Sequence, residues 1–245
     1  MILEILSANG CSSISPFGNP QNMFIFYHFD VELFEFFQVI FPLIFIVLIL
    51  LAFFTPKYYY LKIKKINPND LDKVKILPLL ILFFVFIISF LGFIPVFYSG
   101  FLILFYMLIF EKNAVKSLDI YMLGTFFSFF GFTDNLDSVI QIHFHDKLDV
   151  FLYTAFVSQF ISNVPATLIM ADFTYHWDAL LWGASVGGFG TLFSSMANLI
   201  GYRLFVKKFD DKKSFLVKFH LISFLFFIVG IQIYFLFFEV FNWVR

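Results

Sequence analysis

Apolar and polar positions alternate on two scales along this chain. Residues 34–54, 76–93, 95–111, 117–133 and 218–240 are almost unbroken apolar runs. A helix crosses the hydrocarbon core of a bilayer with about 20 mostly apolar residues, so the pattern predicts five spanning helices. Other apolar stretches carry a polar interruption. Residues 150–173 contain "SNVPAT" at 162–167, and residues 178–205 contain "GGFGTLFSSMAN" at 187–198. Residues 1–22 resemble the end of another such segment, with "ILSANGCSSISPFGNPQN" at 5–22. Irregular backbone at membrane depth is tolerated only where it is buried in protein or lines a wet cavity. In the run at 187–198, Gly187, Gly188 and Gly190 permit a helix break, and Thr191, Ser194, Ser195 and Asn198 offer neutral ligands.

Composition agrees with a membrane class. Of 245 residues, 61% are hydrophobic and 13% charged, and mean hydropathy is +0.90, more apolar surface than a soluble domain of this size can bury. The 43 phenylalanines lack interleaved basic residues, which excludes a nucleic-acid partner. Cys11 is the single cysteine, so no intramolecular disulfide forms. No phosphate-binding GxxxxGK[ST] loop is present, so this chain has no ATP site of that kind.

Charge orients the spans. Fourteen of the 16 Lys and Arg residues fall in three stretches, 57–75, 112–116 and 203–218. The positive-inside rule makes these cytoplasmic and puts the acidic stretch with Asp134, Asp137, Asp146 and Asp149 outside. From outside at 149 to inside at 203 the chain must cross an odd number of times. Two full crossings by 150–173 and 178–205 violate that. The parity is restored if 150–173 enters halfway and returns, with "SNVPAT" at the tip of a re-entrant hairpin.

An internal repeat supports broken helices. Residues 7–22 laid over 183–198 bring Ala8 onto Ala184, Phe17 onto Phe193 and Asn22 onto Asn198, with Ser15 on Thr191, all 176 apart. The span 34–54 runs inward and its counterpart 218–240 runs outward, so the two units have opposite topology. Inverted repeats with broken helices mark secondary transporters, in which exposed carbonyls bind cations and half-helix N-termini hold anions.

Three motifs, "SPFGNPQN" (15–22), "SNVPAT" (162–167) and "GGFGTLFSSMANLIG" (187–201), together resemble the ion transporter superfamily: divalent anion:sodium symporters, citrate transporters and arsenite permeases. The resemblance covers essentially the whole chain. It implies a dimerising scaffold domain and a transport domain that moves as an elevator. It puts Ser162 and Asn163, with Thr167 after them, at the hairpin tip. Gly188, Thr191, Ser194, Ser195 and Asn198 lie at the facing break, and Ser13, Ser15, Gly18, Asn19 and Asn22 at the matching break of the first repeat. Na⁺ is the possible coupling ion, at Ser162, Asn163 and Thr191. Val164 stands where the dicarboxylate branch carries Thr, which argues against a dicarboxylate substrate. About 100 residues of the first repeat lack a counterpart.

The expected fold class is therefore an all-α membrane protein, an inverted-repeat transporter with a re-entrant hairpin and broken helices, its first repeat largely missing. Residues 1–54 end that repeat and 55–75 form a cytoplasmic linker. Residues 76–245 form the second repeat: scaffold helices at 76–133, hairpin 150–173, broken helix 178–205 and last span 218–240. The expected function is secondary active transport of a small anion coupled to Na⁺ or H⁺, in the cell membrane, with no catalytic residue and no cofactor. The expected partners are lipid and either a second copy or an N-terminal half. The alternative is half of a split transporter, or a remnant that does not transport alone. "HFHDKLD" (143–149) raises a minor alternative, a metal-dependent membrane enzyme using His143, His145 and Asp146. Asp172 and Asp178 are expected at the membrane interface, and Trp177, Trp182 and Trp243 as interfacial anchors.

Overall fold

The computed structural model describes residues 1–55, 73–116 and 144–241, with scattered positions between 118 and 131. Asp134, Asn135, Asp137, His143, Trp243 and about half of the apolar run 117–133 lie outside the described residues. Among the described residues the regular secondary structure is helical and no strand occurs. The chain divides into two compact units, Met1–Lys57 with Thr125–Arg245, and Tyr58–Gly124.

In the first unit, helix length separates two kinds of element. Helix α3 (Leu33–Phe54) has 22 residues, which at about 1.5 Å rise each matches a hydrocarbon core of about 30 Å. Helices α1 (Ile2–Ser12), α2 (Pro20–His28), α9 (Trp177–Gly187) and α10 (Met196–Val206) have nine to eleven residues, about half that length. They occur as two interrupted pairs, α1 with α2 and α9 with α10. Helices α7 (Lys147–Ile161) and α8 (Asn163–Ala171) are joined by Ser162 alone. The last helix, α11 (Lys212–Tyr234), continues as a π-helical segment, Phe235–Val240.

Helices α7 and α8 fold back on each other. The Phe144 N–H, ahead of α7, donates to the carbonyl of Phe173, beyond α8, at 2.8 Å. The same end is tied by Lys147 Nζ to Asp178 Oδ2 at 2.6 Å and by Tyr234 Oη–H to the Lys147 carbonyl at 3.1 Å. His176 Nε2 meets the His145 carbonyl at 2.9 Å. Asp146 in "HFHDKLD" caps α7 by accepting from Leu148 N–H at 2.8 Å. Asp178 is 6% exposed and is paired with Lys147.

Helix α7 and helix α9 approach closely along Gly183 and Gly187. A Cβ on Gly183 would lie 2.7 Å from Thr154 Cβ, and one on Gly187 would lie 2.6 Å from Ser158 Oγ. Small residues four apart let two helix backbones touch where no hydrophobic drive separates helix from lipid. The core beside this seam is aromatic: Phe151 and Tyr234 stack at 3.8 Å, and Trp182 meets Tyr234 and Phe238 edge-on. Trp182 is therefore a core residue and not an interfacial anchor. It is fully buried and donates from Nε1 to the Val39 carbonyl at 2.8 Å, in the turn of α3 just before Pro42. The indole N–H found its acceptor inside the protein, so nothing holds the ring at a lipid headgroup. Trp177 packs partly buried against the same core.

In the second unit, α4 (Lys73–Phe90) and α5 (Val96–Phe110) pack together through Ser99 Oγ–H donating to Ser89 Oγ at 2.7 Å. Gly92, at φ +83°, opens the turn between them. The short helix α6 (Lys112–Lys116) follows.

Candidate functional site

The break between α9 and α10 is held open by side chains. Gly190 has φ +104°, and a Cβ there would lie 2.2 Å from Gln159 Oε1, so only glycine fits. Gln159 ties its amide to this break and, through Nε2, also to the Ala155 carbonyl of its own helix at 3.0 Å. Its Nε2 donates to the carbonyls of Gly187 (3.0 Å) and Phe189 (3.1 Å), and its Oε1 accepts from Thr191 N–H at 3.0 Å. Thr191 Oγ1–H donates to the Gln159 carbonyl at 2.8 Å. The Gly190 N–H goes to Ser223 Oγ on α11 at 2.8 Å.

The Gly188 carbonyl is the hub. It accepts from Asn9 Nδ2 at 3.1 Å, Ser194 Oγ at 3.0 Å and Asn198 Nδ2 at 3.2 Å. Asn9 comes from α1. Its Nδ2 also donates to Asn198 Oδ1 at 2.7 Å, and its Oδ1 accepts from Ser195 Oγ–H at 2.7 Å. Ser195 in turn caps α10 by accepting from Ala197 N–H.

The break between α1 and α2 closes on itself. A Cβ on Gly18 would lie 1.9 Å from the Ser12 carbonyl oxygen, which leaves room for glycine alone. Asn19 caps α2, its Oδ1 accepting from Asn22 N–H at 2.8 Å, and donates from Nδ2 to Ser12 Oγ at 3.2 Å. Asn22 Nδ2 donates to the carbonyls of Ser13 (3.2 Å) and Ser15 (3.1 Å). Ser13 Oγ–H donates to the Asn9 carbonyl at 3.3 Å.

Bonds in the two breaks recur at the spacing of 176 residues. Asn22 donates to the Ser15 carbonyl as Asn198 donates to that of Thr191. Gly18 N–H to Ser15 O matches Ser194 N–H to Thr191 O, and Ser13 N–H to Gly10 O matches Phe189 N–H to Val186 O. Met23 N–H to Asn19 O matches Leu199 N–H to Ser195 O.

Ser162 sits at the turn of the α7–α8 pair with φ +77° and ψ 150°, a conformation that costs a non-glycine residue about 1–3 kcal/mol and clusters at functional sites. Beside it, Asn163 is 4% exposed and donates from Nδ2 to the Ala184 carbonyl of α9 at 3.2 Å. Thr167 Oγ1–H donates back to the Asn163 carbonyl at 2.7 Å. The structure thus brings Ser162, Asn163 and Thr191 to one neighbourhood, with Gly188, Ser194, Ser195 and Asn198 adjoining. A Cβ on Gly188 would come 3.0 Å from Asn163 Nδ2. Ser13, Ser15, Gly18, Asn19 and Asn22 form the other break, linked to the first through Asn9 and through α2, which packs on α8 and α9. Three buried side-chain oxygens among the described residues receive no hydrogen bond from the protein: Ser162 Oγ, Ser185 Oγ and Asn22 Oδ1.

No ionisable side chain lies in Ser13–Asn19, Ser162–Asn163 or Gly188–Ser195. The electrostatics there come from backbone and amide dipoles. The N-termini of α2, α8 and α10 supply partial positive charge, and the carbonyls closing α1, α7 and α9 supply partial negative charge. Sequence reasoning missed Asn9, Gln159, Ser185 and Ser223. Each is a polar residue within an otherwise apolar or small-residue stretch of helix, the one signal that marked them.

The protein class follows from these features and from its relatives. A family model described as "Citrate transporter" matches residues 1–182. The chain is 32% identical over 209 residues to the "Uncharacterized transporter MJ0456" of Methanocaldococcus jannaschii, covering 83% of this chain and 57% of that protein. It is 46% identical over 48 residues to the "Inner membrane protein YbiR" of Escherichia coli, 20% of this chain and 13% of that protein. No solved structure matches significantly. By class this is a multi-pass membrane protein built of α-helices. The chain belongs to the citrate transporter family. It spans little more than half the length of the Methanocaldococcus relative.

Proposed function

We propose that the chain carries out secondary active transport of a small anion, coupled to Na⁺ or H⁺. The observation that carries this reading is the meeting of the Ser162–Asn163 turn with the α9–α10 break. There, buried neutral oxygens and helix termini adjoin without any charged side chain. In this reading α7 and α8 form a re-entrant hairpin, and α1–α2 and α9–α10 are the broken helices of two inverted repeats. The recurrence of hydrogen bonds at 176 residues supports that arrangement. Helix N-termini at Asn163 and Met196 suit the anion. Ser162, Asn163 and Thr191 suit the coupling cation, which neutral oxygens hold without burying a net charge.

The test is uptake by proteoliposomes holding the full chain, with radiolabelled citrate, succinate, sulfate and phosphate offered under an imposed Na⁺ or proton gradient. Asn163→Ala is expected to insert normally and to lose uptake about tenfold or more, the effect of about 1.4 kcal/mol or more of lost binding. Uptake equal to that of the unaltered chain overturns the assignment.

A further inference from the structure

We propose that the outward face of α11 binds an anionic phospholipid, its headgroup phosphate on Lys212 and Lys213 and an acyl chain along the helix below them. One face of α11 packs into the core through Phe215, Phe219, Ser223 and Phe226. Another face carries an apolar groove of about 650 Å³, which runs from Leu216 to Ile228. Its lining falls at 216/217, 220/221, 224/225 and 228, a single stripe on a helix of 3.6 residues per turn. One turn earlier the same stripe reaches Lys212 and Lys213, both exposed. His220 is the one polar residue in the lining. Its Nδ1 faces the Leu216 carbonyl at 2.8 Å, so Nδ1 carries a proton and Nε2 is left for another partner.

Charge and length select the occupant. Residues 203–218 hold six basic residues, Arg203, Lys207, Lys208, Lys212, Lys213 and Lys218, against two acidic ones. Among the described residues none of the six is ion-paired. Asp211, one of the two acids, is engaged in capping α11, where it accepts from Ser214 N–H at 3.3 Å. A basic cluster at the cytoplasmic end of a spanning helix attracts anionic headgroups, and the positive-inside rule reads this end as cytoplasmic. The groove is about 18 Å long at 1.5 Å per residue, close to the hydrocarbon depth of one leaflet, about 15 Å. It stops at Ile228, and Gln232 follows exposed on the same face. A neighbouring helix that spans the bilayer needs about 30 Å of contact, and a free phosphate leaves the apolar stripe unused. His220 lies about 10 Å below Lys213, where a headgroup gives way to the ester groups once the lysine stem extends outward. The site lies on the far side of α11 from its core contacts, so it stands independently of the transport reading.

The experiment is native mass spectrometry of the full chain in detergent, delipidated and then titrated with dioleoyl-phosphatidylglycerol or dioleoyl-phosphatidylcholine. The anionic lipid is expected to bind about tenfold or more tightly than the zwitterionic one, the preference that two lysines near a headgroup supply. Lys212→Gln with Lys213→Gln is expected to remove most of that preference. Lys207→Gln with Lys208→Gln takes the same charge from a neighbouring place outside the stripe and is expected to keep it. Leu221→Trp fills the groove from a position 69% exposed, which spares the core, and is expected to weaken both lipids. Equal affinity of the unaltered chain for the two lipids overturns the proposal. So do equal losses in the two glutamine pairs, the mark of a diffuse surface charge. Displacement of the anionic lipid by inorganic phosphate at matched ionic strength also overturns it and points to a free-anion site. Leu221→Trp that dissociates a dimer and leaves lipid binding unchanged overturns it in favour of a second copy on this face.

Discussion

Two glycines keep the breaks open for different reasons. At Gly18 the obstacle to a side chain is the Ser12 backbone, 1.9 Å from where a Cβ would sit. At Gly190 the obstacles are a positive φ and the far end of the Gln159 side chain, not backbone. Gly18→Ala is therefore expected to cost more than Gly190→Ala, about 3 kcal/mol or more, with Gly100→Ala as the control. Gly100 lies within α5 with nothing within 4 Å of its Cβ position, so alanine there is neutral or slightly stabilising. Tm values of the three variants check the order. The glycines and hydroxyls of the breaks were legible in the sequence because they contrast with apolar surroundings. Their partners were not. Asn9 acts on residues 179 to 189 positions away, and Gln159 on residues about 30 away, distances at which no local pattern reports contact.

Between elements, the deciding contact is the glycine seam of α7 and α9. Ala155 and Ser158 fill the groove that Gly187 leaves, and Thr154 fills that of Gly183. The seam sets Gln159 one turn further on, within reach of the α9–α10 break. Gly187→Ala is expected to cost about 1–3 kcal/mol by overpacking, and Ser158→Gly in the same chain to recover a sizeable part of it. A double-mutant cycle on Tm measures that coupling, and additive losses would show that the helices do not touch there. The polar interruption in 150–173 was legible as a place where the chain must turn, from charge parity alone. Trp182 was misread because tryptophan near an apolar end ordinarily marks a lipid headgroup region, and only packing discloses the Val39 carbonyl.

For the molecule as a whole, one end of the first unit is fastened by a cluster of contacts among residues 144–147, 173–178 and 234. The ion pair within it is unequal: Asp178 is 8% exposed at its side chain and Lys147 38%. Removing the lysine leaves a buried carboxylate without its counter-charge, whereas neutralising the aspartate leaves an ammonium with access to water. Lys147→Met is expected to lower Tm more than Asp178→Asn, and the double variant to be more stable than Lys147→Met alone. Equal losses would place the pair in solvent. Membrane class, helix content and family were legible at this scale because apolar run lengths and motif order carry them. The fastening was not, since Lys147 stands apart from the three basic stretches that orient the spans.

Trp182 gives the chain an optical gauge of its own. The indole is carried by α9, yet its N–H is spent on α3, and the ring is shielded from solvent on every side. Its emission should be blue and its quenching by aqueous acrylamide weak for as long as those two helices stay together. Any motion that parts them exposes the indole and frees its N–H, so a colour change from one residue would time the separation, with Trp177 and Trp243 replaced by phenylalanine to darken the background.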